Sequence, residues 1–226
     1  TLRATFGSSL REELLRVRSA TPAGDDLGAA AKGARRLNSV ALGLLAAGDP
    51  VEGAALAKAQ FDAADNMTDR QGALAILVSL DQPQRQATLD AFYDRFKADP
   101  LVIDKWFALQ ATAQRSGTID EVERLAAHPD FTLGNPNRLR ALVGTFAANQ
   151  WAFHHPSGRG YRFVAGMILD ADRLNPSVAA RLVSPFGRWR RFDQDRAARM
   201  RAELERIVAV PGLSKDVYEQ ASKSLS

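Results

Sequence analysis

The histidines are the residues of this sequence best suited to bind a metal ion or to transfer protons at neutral pH. There are three, His128, His154 and His155, and none has a second histidine four residues away. The helical zinc motif H-E-x-x-H, which uses that spacing to place both rings on one face, is absent. Adjacent residues such as His154 and His155 point in different directions on a regular backbone. We expect histidines that pack in loops or lie at the surface, and no metal site built from this chain.

Other catalytic motifs are missing as well. The chain has no cysteine, which excludes a disulfide scaffold, a thiolate zinc site and a cysteine nucleophile. It contains no G-x-x-x-x-G-K-S/T phosphate loop, no G-x-G-x-x-G turn and no G-x-S-x-G nucleophile elbow. Neighbouring carboxylates occur at Glu12-Glu13, Asp25-Asp26 and Asp193/Asp195, but such pairs are common at solvated helix ends. The residues therefore predict no catalytic centre within this chain.

Positive charge is concentrated near the end of the sequence. Between Arg181 and Arg206 there are eight arginines against four carboxylates, an excess equal to the formal net charge of +4 for all 226 residues. Arginine suits carboxylate and phosphate groups, although a basic stretch is more often a solvated helix face. Three interpretations stay open: a solvated face, a surface between domains, and a site for carboxylate or phosphate groups.

Helices must position these residues, because the start signals along the chain are helical. Asp49-Pro50, Asp99-Pro100, Asn135-Pro136 and Asn175-Pro176 each place a side-chain acceptor before a proline, the pattern of a capped first turn. Apolar residues behind these starts recur every three or four positions. The predicted helices cover 2–18, 27–47, 51–64, 70–80, 83–97, 100–115, 118–127, 136–148, 159–173, 176–187, 193–209 and 214–224.

The same patterns predict the fold class. No segment alternates with a period of two, and the apolar run Leu74–Leu80 is interpreted as buried helix, so no strand is predicted. Thr118 and Glu121 match a capping box, and breaks are expected at Pro22–Gly24 and Pro156–Gly158. The prediction is an all-α fold, an irregular superhelical array of paired antiparallel helices of the ARM/HEAT type (an α-solenoid), without a strict internal repeat.

Composition fits a chain that buries a core. Hydrophobic residues at 46% and charged residues at 25% are ordinary globular values, and 226 residues suffice for one large domain or two small ones. No apolar run approaches the roughly 18 residues that cross a bilayer. Trp106, Phe107, Phe146, Trp189 and Phe192 occur at core-compatible spacings and are predicted to pack between helix layers. Because the sequence begins without an initiator methionine, we expect part of a longer protein.

Several long strings of residues are more specific than generic helix. They are NMTDRQGAL at 66–74, FYDRFKADPLVIDKWFALQA at 92–111, HPDFTLGNPNRLRALVGTFA at 128–147, FHHPSGRGYRFVAGMIL at 153–169, NPSVAARLVSPFGRWRRFD at 175–193 and LSKDVYEQASKSL at 213–225. Together they resemble the C-terminal helical domain of the bacterial aminopeptidase N family, alanyl aminopeptidases among the gluzincin zinc metallopeptidases. The resemblance runs in order from about residue 50 to the end. The family's zinc ligands, catalytic glutamate and G-x-M-E-N substrate-anchoring loop are not in this sequence.

The resemblance implies a multidomain parent in which residues 1–226 form a single C-terminal helical domain. In such a parent a zinc domain removes N-terminal residues such as Ala, Arg and Lys from peptides. The helical domain closes over the active-site chamber, gates substrate access and is not catalytic alone. The resemblance implies zinc in the parent and none bound by this chain. It also implies the upstream catalytic domain and peptide substrates as partners, no nucleic acid or membrane, a monomer, and a bacterial cytoplasmic location.

Three arginines are candidates to line the substrate channel of such a parent. Arg138 and Arg140 flank the start of a capped helix, and Arg181 follows a second Asn-Pro cap. A helix N-terminus beside arginine suits an anion, and a peptide presents a carboxylate or backbone carbonyls at the end opposite its amino group. The three also look like family positions that line the chamber. The alternative is that they form interhelical salt bridges.

A second function from another class stays open on the charge pattern. The chain could be a stand-alone helical scaffold that binds an acidic partner or nucleic acid through Arg181–Arg206. Against it, the basic stretch comes without interleaved exposed aromatic residues, since Trp189 and Phe192 are predicted to pack between helix layers, and without a recognised nucleic-acid-binding fold signature. Unaided peptide hydrolysis by this chain is not expected, because too few zinc ligands are present.

Overall fold

A computed structural model describes residues 1–20 and 28–226. The regular elements in these ranges are helices, and the ranges contain no strand. The predicted all-α class is therefore confirmed, including the helical assignment of Leu74–Leu77 within the apolar run. The expected break at Pro22–Gly24, the Asp25-Asp26 pair and the first residue of the predicted 27–47 helix lie outside the described residues.

The chain divides into two compact units, residues 1–98 and residues 99–226. Each is a set of helices in which neighbours along the chain pack on one another. The helices of unit 1 are α1 (Leu2–Ser9), α2 (Arg11–Ser19), α3 (Ala29–Gly48), α4 (Pro50–Ala63), α5 (Met67–Leu77) and α6 (Gln84–Phe96).

The largest differences between unit 1 and the predicted helices lie at residues 2–18 and at α5, which also ends at Leu77 instead of residue 80. The predicted helix 2–18 is wrong because the chain bends at Leu10, which has φ −108° and ψ 17° and separates α1 from α2. The weak helix formers Gly7, Ser8 and Ser9 precede this bend. Helix α5 starts earlier than predicted because the side chain of Asn66 accepts a hydrogen bond from the Asp69 N–H, at 2.9 Å, and caps it.

Small residues set the spacing of helices in unit 1. A Cβ placed on Gly7 would lie 2.0 Å from the carbonyl oxygen of Leu44, and one on Gly48 would lie 2.6 Å from the carbonyl carbon of Gly7. The backbones of α1 and α3 therefore meet directly at these glycines. A core cluster of Leu42, Ala54, Ala57 and Leu77 joins α3, α4 and α5.

Unit 2 contains regular and distorted helices. They are α7 (Pro100–Ala111), α8 (Thr118–Ala126), α9 (Pro136–Leu139), a π-helical turn (Arg140–Gly144), α10 (Thr145–Ala148), α11 (Gln150–Phe153), α12 (Arg159–Asp172), α13 (Pro176–Leu182), a 3-10 helix (Ser184–Arg191), α14 (Gln194–Val208) and α15 (Lys215–Leu225).

The predicted caps of this unit are confirmed at the Asp-Pro and Asn-Pro sites and wrong at Thr118. Asp99, Asn135 and Asn175 each accept hydrogen bonds from backbone N–H groups of the first turn. The N-cap of α8 is Gly117, and the Thr118 hydroxyl instead donates to the Ala113 carbonyl at 2.9 Å and accepts from the Arg115 N–H at 3.3 Å. The Ala113 carbonyl lies just beyond the end of α7, where no helical N–H is available to it, and it accepts the Thr118 hydroxyl instead.

Two predicted helices change character partway along. The segment 136–148 is helical throughout, but its middle turn is π-helical, and the short helix α11 behind it was not predicted. The predicted helix 176–187 is wrong beyond Leu182, where the 3-10 helix follows. Proline in an α-helix clashes with the carbonyl four residues earlier and donates no hydrogen bond, so Pro185 opposes continuation of α13.

Aromatic rings fill the core of unit 2. Phe153 makes edge-to-face contacts with Tyr161 and Phe186, with ring centroids 5.0 and 5.5 Å apart. The predicted core residues Trp106, Phe107 and Phe146 are buried. Trp189, on the 3-10 helix, and Phe192, at its end, were predicted to pack in the same way and are half-buried.

Candidate functional site

Arg140 and Arg181, two of the predicted channel residues, line one cavity of about 450 Å³ in unit 2. Arg140 begins the π-helical turn, and Arg181 lies in the last turn of α13. The two residues are distant in sequence, and the packing of these elements places them at the same cavity. We refer to it as the Arg140–Arg181 cavity.

Gly144 lines the Arg140–Arg181 cavity between the stem of Arg140 and α13. A Cβ added at Gly144 would lie 3.4 Å from Cγ of Arg140 and 3.9 Å from Cδ2 of Leu182. Any larger side chain would therefore enter the space between the arginine stem and α13. The extra residue in a π-helical turn shifts the side chains that follow it, which is a common device at functional sites.

Both arginines are available to an anion. The Arg140 guanidinium donates to Oδ1 of Asn137 at 3.1 Å and has no carboxylate partner among the described residues. Arg181 is exposed, and its side chain makes no hydrogen bond or ion pair with any residue that the structure describes. Asp216 and Glu219 line a neighbouring cavity that Arg181 also borders, without an ion pair to it. Unpaired guanidinium groups at a cavity suit carboxylate or carbonyl oxygens.

Arg138 has a different environment. Its side chain is 7% exposed, and its Nε donates to Oδ1 of Asp104 at 2.6 Å. The guanidinium also donates to the carbonyls of Asp130 and Pro100 and lies 4.9 Å from the ring centroid of Phe107. These contacts join α7, the loop before α9 and α9 itself. They match the interhelical salt-bridge alternative.

The basic stretch Arg181–Arg206 divides into two parts. On α14 three of the four arginines pair locally with carboxylates, at 2.7 to 2.8 Å, in the pairs Arg196–Asp193, Arg201–Glu205 and Arg206–Glu203. The fourth, Arg199, has no ion pair with a residue that the structure describes. This part behaves as a solvated helix face. Arg181, Arg188 and Arg191 instead have no ion pair with the described residues. The excess positive charge therefore lies on α13 and the 3-10 helix.

Two further cavities border the first. One, of about 380 Å³, is lined by His154, Arg188 and Arg191 among others, and we refer to it as the His154 cavity. The other, of about 450 Å³, includes Trp151, which is 47% exposed. Ala148 lines all three cavities. Arg188 and Arg191 were not among the predicted site residues, although their spacing of three residues was a signal that one helical edge would carry both.

The three histidines pack or lie at the surface, as expected. Nδ1 of the buried His154 lies 2.9 Å from the Tyr161 hydroxyl, and His155 is exposed. Burial, helped by the nearby charge of Arg196, lowers the pKa of His154 from 6.5 to about 4. His128 packs between aromatic rings, with its Nδ1 accepting from the Asp130 N–H at 3.1 Å.

Neither a metal-binding cluster nor a membrane-spanning helix is present in the described residues. Over 1–20 and 28–226, no three His, Cys, Asp or Glu side chains are grouped so that they could hold a metal ion. The residues present therefore do not fit a zinc centre. In the described part of the chain, no helix has both the length and the apolar character needed to cross a bilayer.

The relatives of this chain among known proteins are aminopeptidases. Residues 1–226 match a protein family described as a domain of unknown function (DUF3458_C) with ARM repeats. The chain is 48% identical to aminopeptidase N of Caulobacter vibrioides over 198 residues, which are 87% of this chain and 23% of that protein. It is 40% identical to aminopeptidase N of Escherichia coli over 193 residues, 85% of this chain and 22% of that protein.

A solved structure gives the same result. The crystal structure of Legionella pneumophila aminopeptidase A in complex with aspartic acid is 32% identical, with a TM-score of 0.91 over 99% of this chain and 27% of that one. These findings confirm the resemblance inferred from the sequence strings. The chain spans less than a quarter of the length of the two aminopeptidase N relatives.

Proposed function

The chain belongs to this family of ARM-repeat domains, and from its likeness to bacterial aminopeptidases N we infer that it is the C-terminal helical domain of a zinc-dependent aminopeptidase. The parent removes N-terminal residues such as Ala, Arg and Lys from peptides. Zinc is held by the upstream catalytic domain of the same polypeptide, a role consistent with the lack of a three-ligand cluster among residues 1–20 and 28–226. The parent is a monomer in the bacterial cytoplasm and binds peptides, not nucleic acid or membranes.

In this proposal the domain forms a wall of the active-site chamber and gates the access of peptides. It acts by binding and excluding, and it holds no group that attacks the peptide bond. The isolated chain is therefore expected to release no p-nitroaniline from alanine p-nitroanilide, with or without added zinc. Zinc-dependent hydrolysis by the isolated chain would contradict the proposal.

One observation carries the proposed role in substrate binding: Arg140 and Arg181 line the same cavity, and neither has an ion pair with a residue that the structure describes. A peptide held by its cationic amino end in the catalytic domain directs carbonyl oxygens or its terminal carboxylate towards the facing wall. Guanidinium groups are suitable donors for these oxygens. Arg138, the third predicted channel residue, supports this wall from inside through its ion pair with Asp104.

Kinetics of the full-length enzyme test this role. Arg140→Gln and Arg181→Gln are expected to raise KM for tetrapeptides about threefold to tenfold, the size of one ordinary lost hydrogen bond, and to leave alanine p-nitroanilide unaffected. Arg206→Gln is the matched control, since Arg206 is paired with Glu203 on the neighbouring helix α14. Unchanged KM for tetrapeptides in both variants would contradict the role.

A second candidate function follows from the unpaired arginines of α13 and the 3-10 helix. A stand-alone scaffold could use Arg181, Arg188 and Arg191 to bind an acidic protein or a nucleic acid. Such binding would weaken steeply with salt, because it depends on released counterions. Salt-sensitive, sub-micromolar binding of RNA or DNA that is lost in Arg188→Gln would favour this candidate over the aminopeptidase domain.

A further inference from the structure

The 3-10 helix Ser184–Arg191 presents three different edges. With three residues per turn, side chains three apart lie directly above one another. Phe186 and Trp189 form the edge that packs inward, and Phe186 is fully buried. Arg190, on a second edge, donates to the carbonyl of Leu225 at 2.6 Å. The third edge consists of Pro185, Arg188 and Arg191, and it lines the His154 cavity.

The two arginines on the third edge form an unusual pair. Arg188 and Arg191 are one 3-10 turn apart, and such like charges repel each other. Neither side chain has a hydrogen bond or ion pair with a residue that the structure describes. Among the residues that the structure describes, no Asp or Glu lines the His154 cavity. An anion in the cavity would relieve this repulsion.

His154 adds a donor to the cavity. The Tyr161 hydroxyl is buried, and His154 Nδ1 is its hydrogen-bond partner among the described residues, at 2.9 Å. Burial raises the pKa of Tyr161 to about 12, so the hydroxyl keeps its proton at neutral pH. A buried hydroxyl that donates nowhere is costly, so Tyr161 donates to Nδ1. In neutral His154 the proton is then on Nε2, the ring nitrogen left available to the cavity.

Phe192 and Arg196 fix the orientation of this ring. Phe192 stacks on the imidazole of His154 with ring centroids 4.0 Å apart. The Nε of Arg196 donates to the backbone carbonyl of His154 at 2.6 Å, and Arg196 is itself paired with Asp193. His154 is 8% exposed, so its Nε2 donor is held in place before any ligand arrives.

We propose that the His154 cavity binds a compact oxyanion, the carboxylate or phosphate group of a ligand, through Arg188, Arg191 and the Nε2–H of His154. The Ser184 hydroxyl and the Gln150 amide, also at the cavity wall, supply further donors. Two sources offer this chemistry: the terminal carboxylate of a peptide, and a free anion such as inorganic phosphate. The peptide source rests on the proposed function, and it is compatible with the structure because Ala148 lines both the His154 cavity and the Arg140–Arg181 cavity. The free-anion source is independent of the proposed function.

Calorimetric titration of the full-length protein with inorganic phosphate tests the site. Saturable binding is expected, and Arg188→Gln/Arg191→Gln is expected to weaken it about tenfold or more. The matched control is Arg173→Gln/Arg206→Gln, which removes the same charge from outside the cavity and is expected to bind as the wild type does. Absence of saturable binding, or equal weakening in the control, would overturn the proposal.

Two ring variants test the role of the histidine. His154→Phe preserves stacking on Phe192 and is expected to weaken phosphate binding about tenfold, through loss of one charge-assisted hydrogen bond. Tyr161→Phe leaves both arginines unchanged but frees the His154 tautomer, and a weakening of about twofold to fivefold is expected. Thermal unfolding confirms that each variant is folded. Unchanged binding in both folded variants would overturn the assignment of His154.

Competition separates the two sources. An N-acetylated tripeptide, which an aminopeptidase cannot cut, is added with a free or an amidated C-terminus. Displacement of phosphate by the free acid and not by the amide supports the peptide carboxylate. Phosphate binding that neither peptide displaces supports a free anion, and in that case the oxyanion site stands even if the proposed function fails.

Discussion

Arg138 and Asp104 form a buried ion pair between α9 and α7, with Nε 2.6 Å from Oδ1. The guanidinium has further backbone acceptors and an aromatic face, so its hydrogen-bonding capacity is well used. The neighbouring Arg140 lies outside at a cavity, although it is only two residues away. The same helical turn thus carries one arginine that holds the fold together and one that is available to a ligand.

Removal of one partner of this pair is expected to destabilise the fold strongly. Asp104→Ala leaves the Arg138 charge buried and uncompensated, and we expect a loss of about 3 kcal/mol or more in the free energy of unfolding. Urea denaturation followed by circular dichroism measures it. Arg140→Ala, in which an exposed guanidinium is lost, is expected to cost less than about 0.5 kcal/mol. Similar losses in the two variants would refute the structural role of Arg138.

Substitution of glycine by alanine is expected to have opposite effects on stability at two positions of α12, Gly160 and Gly166. A Cβ on Gly160 would lie 2.6 Å from the carbonyl oxygen of Phe153, whereas one on Gly166 has no atom within 4 Å. Gly160→Ala is expected to cost about 1–3 kcal/mol, because the backbone of α11 must move. Gly166→Ala is expected to stabilise by about 0.5–1 kcal/mol, the helix-propensity gain. The denaturation midpoint of each variant is compared with that of the wild type. A shift of both midpoints in the same direction would contradict the packing described for Gly160 and Gly166.

The buried His154 predicts a pH dependence of stability. Its pKa is about 4 in the folded chain and 6.5 in the unfolded chain, so the unfolded state binds more protons between these values. The contribution of the neutral His154 to the free energy of unfolding is complete above pH 6.5 and is lost as the pH falls towards 4. His154→Phe is expected to reduce the loss of stability between pH 7 and pH 4.5. The exposed His155→Phe should follow the wild type, and a wild-type-like slope in His154→Phe would contradict the assignment.

The last turn of α15 depends on the 3-10 helix. Trp189 Nε1 donates to the Ser224 carbonyl at 2.9 Å, and Arg190 donates to the carbonyl of Leu225. These bonds satisfy carbonyls that a helix end leaves free. Trp189→Phe is expected to lose about 1 kcal/mol and to speed hydrogen exchange in the last turn of α15. Arg191→Ala, on another edge of the same 3-10 helix, is expected to leave that exchange unchanged.

The starts of the helices were predictable because their causes are local. Asp49, Asp99, Asn135 and Asn175 cap helices through their own side chains, a few bonds from the backbone they bind. Thr118 shows the limit of this reasoning. Its hydroxyl could reach either its own helix or the free carbonyl of Ala113, and packing of α7 against α8 selected the second.

The candidate site was only partly predictable. Residues two apart on a helix face different ways, so the periodicity alone could have separated Arg138 from Arg140. The periodicity could not show that Arg140 and Arg181 share a cavity, because their separation in the chain says nothing about distance. Similarly, the charge excess of Arg181–Arg206 was visible, but its position on the 3-10 helix depended on which arginines found carboxylates on α14.

The sequence by itself determined the all-α class, most helix starts, the absence of the H-E-x-x-H motif and the resemblance to aminopeptidase N, since these depend on residues close together or on strings of letters. The tertiary structure decided which arginines are paired, where α13 gives way to a 3-10 helix, and how His154 is held by Tyr161 and Phe192. The physical reason is that burial and pairing depend on groups far apart in the chain, and only the packed helices bring those groups within hydrogen-bond distance.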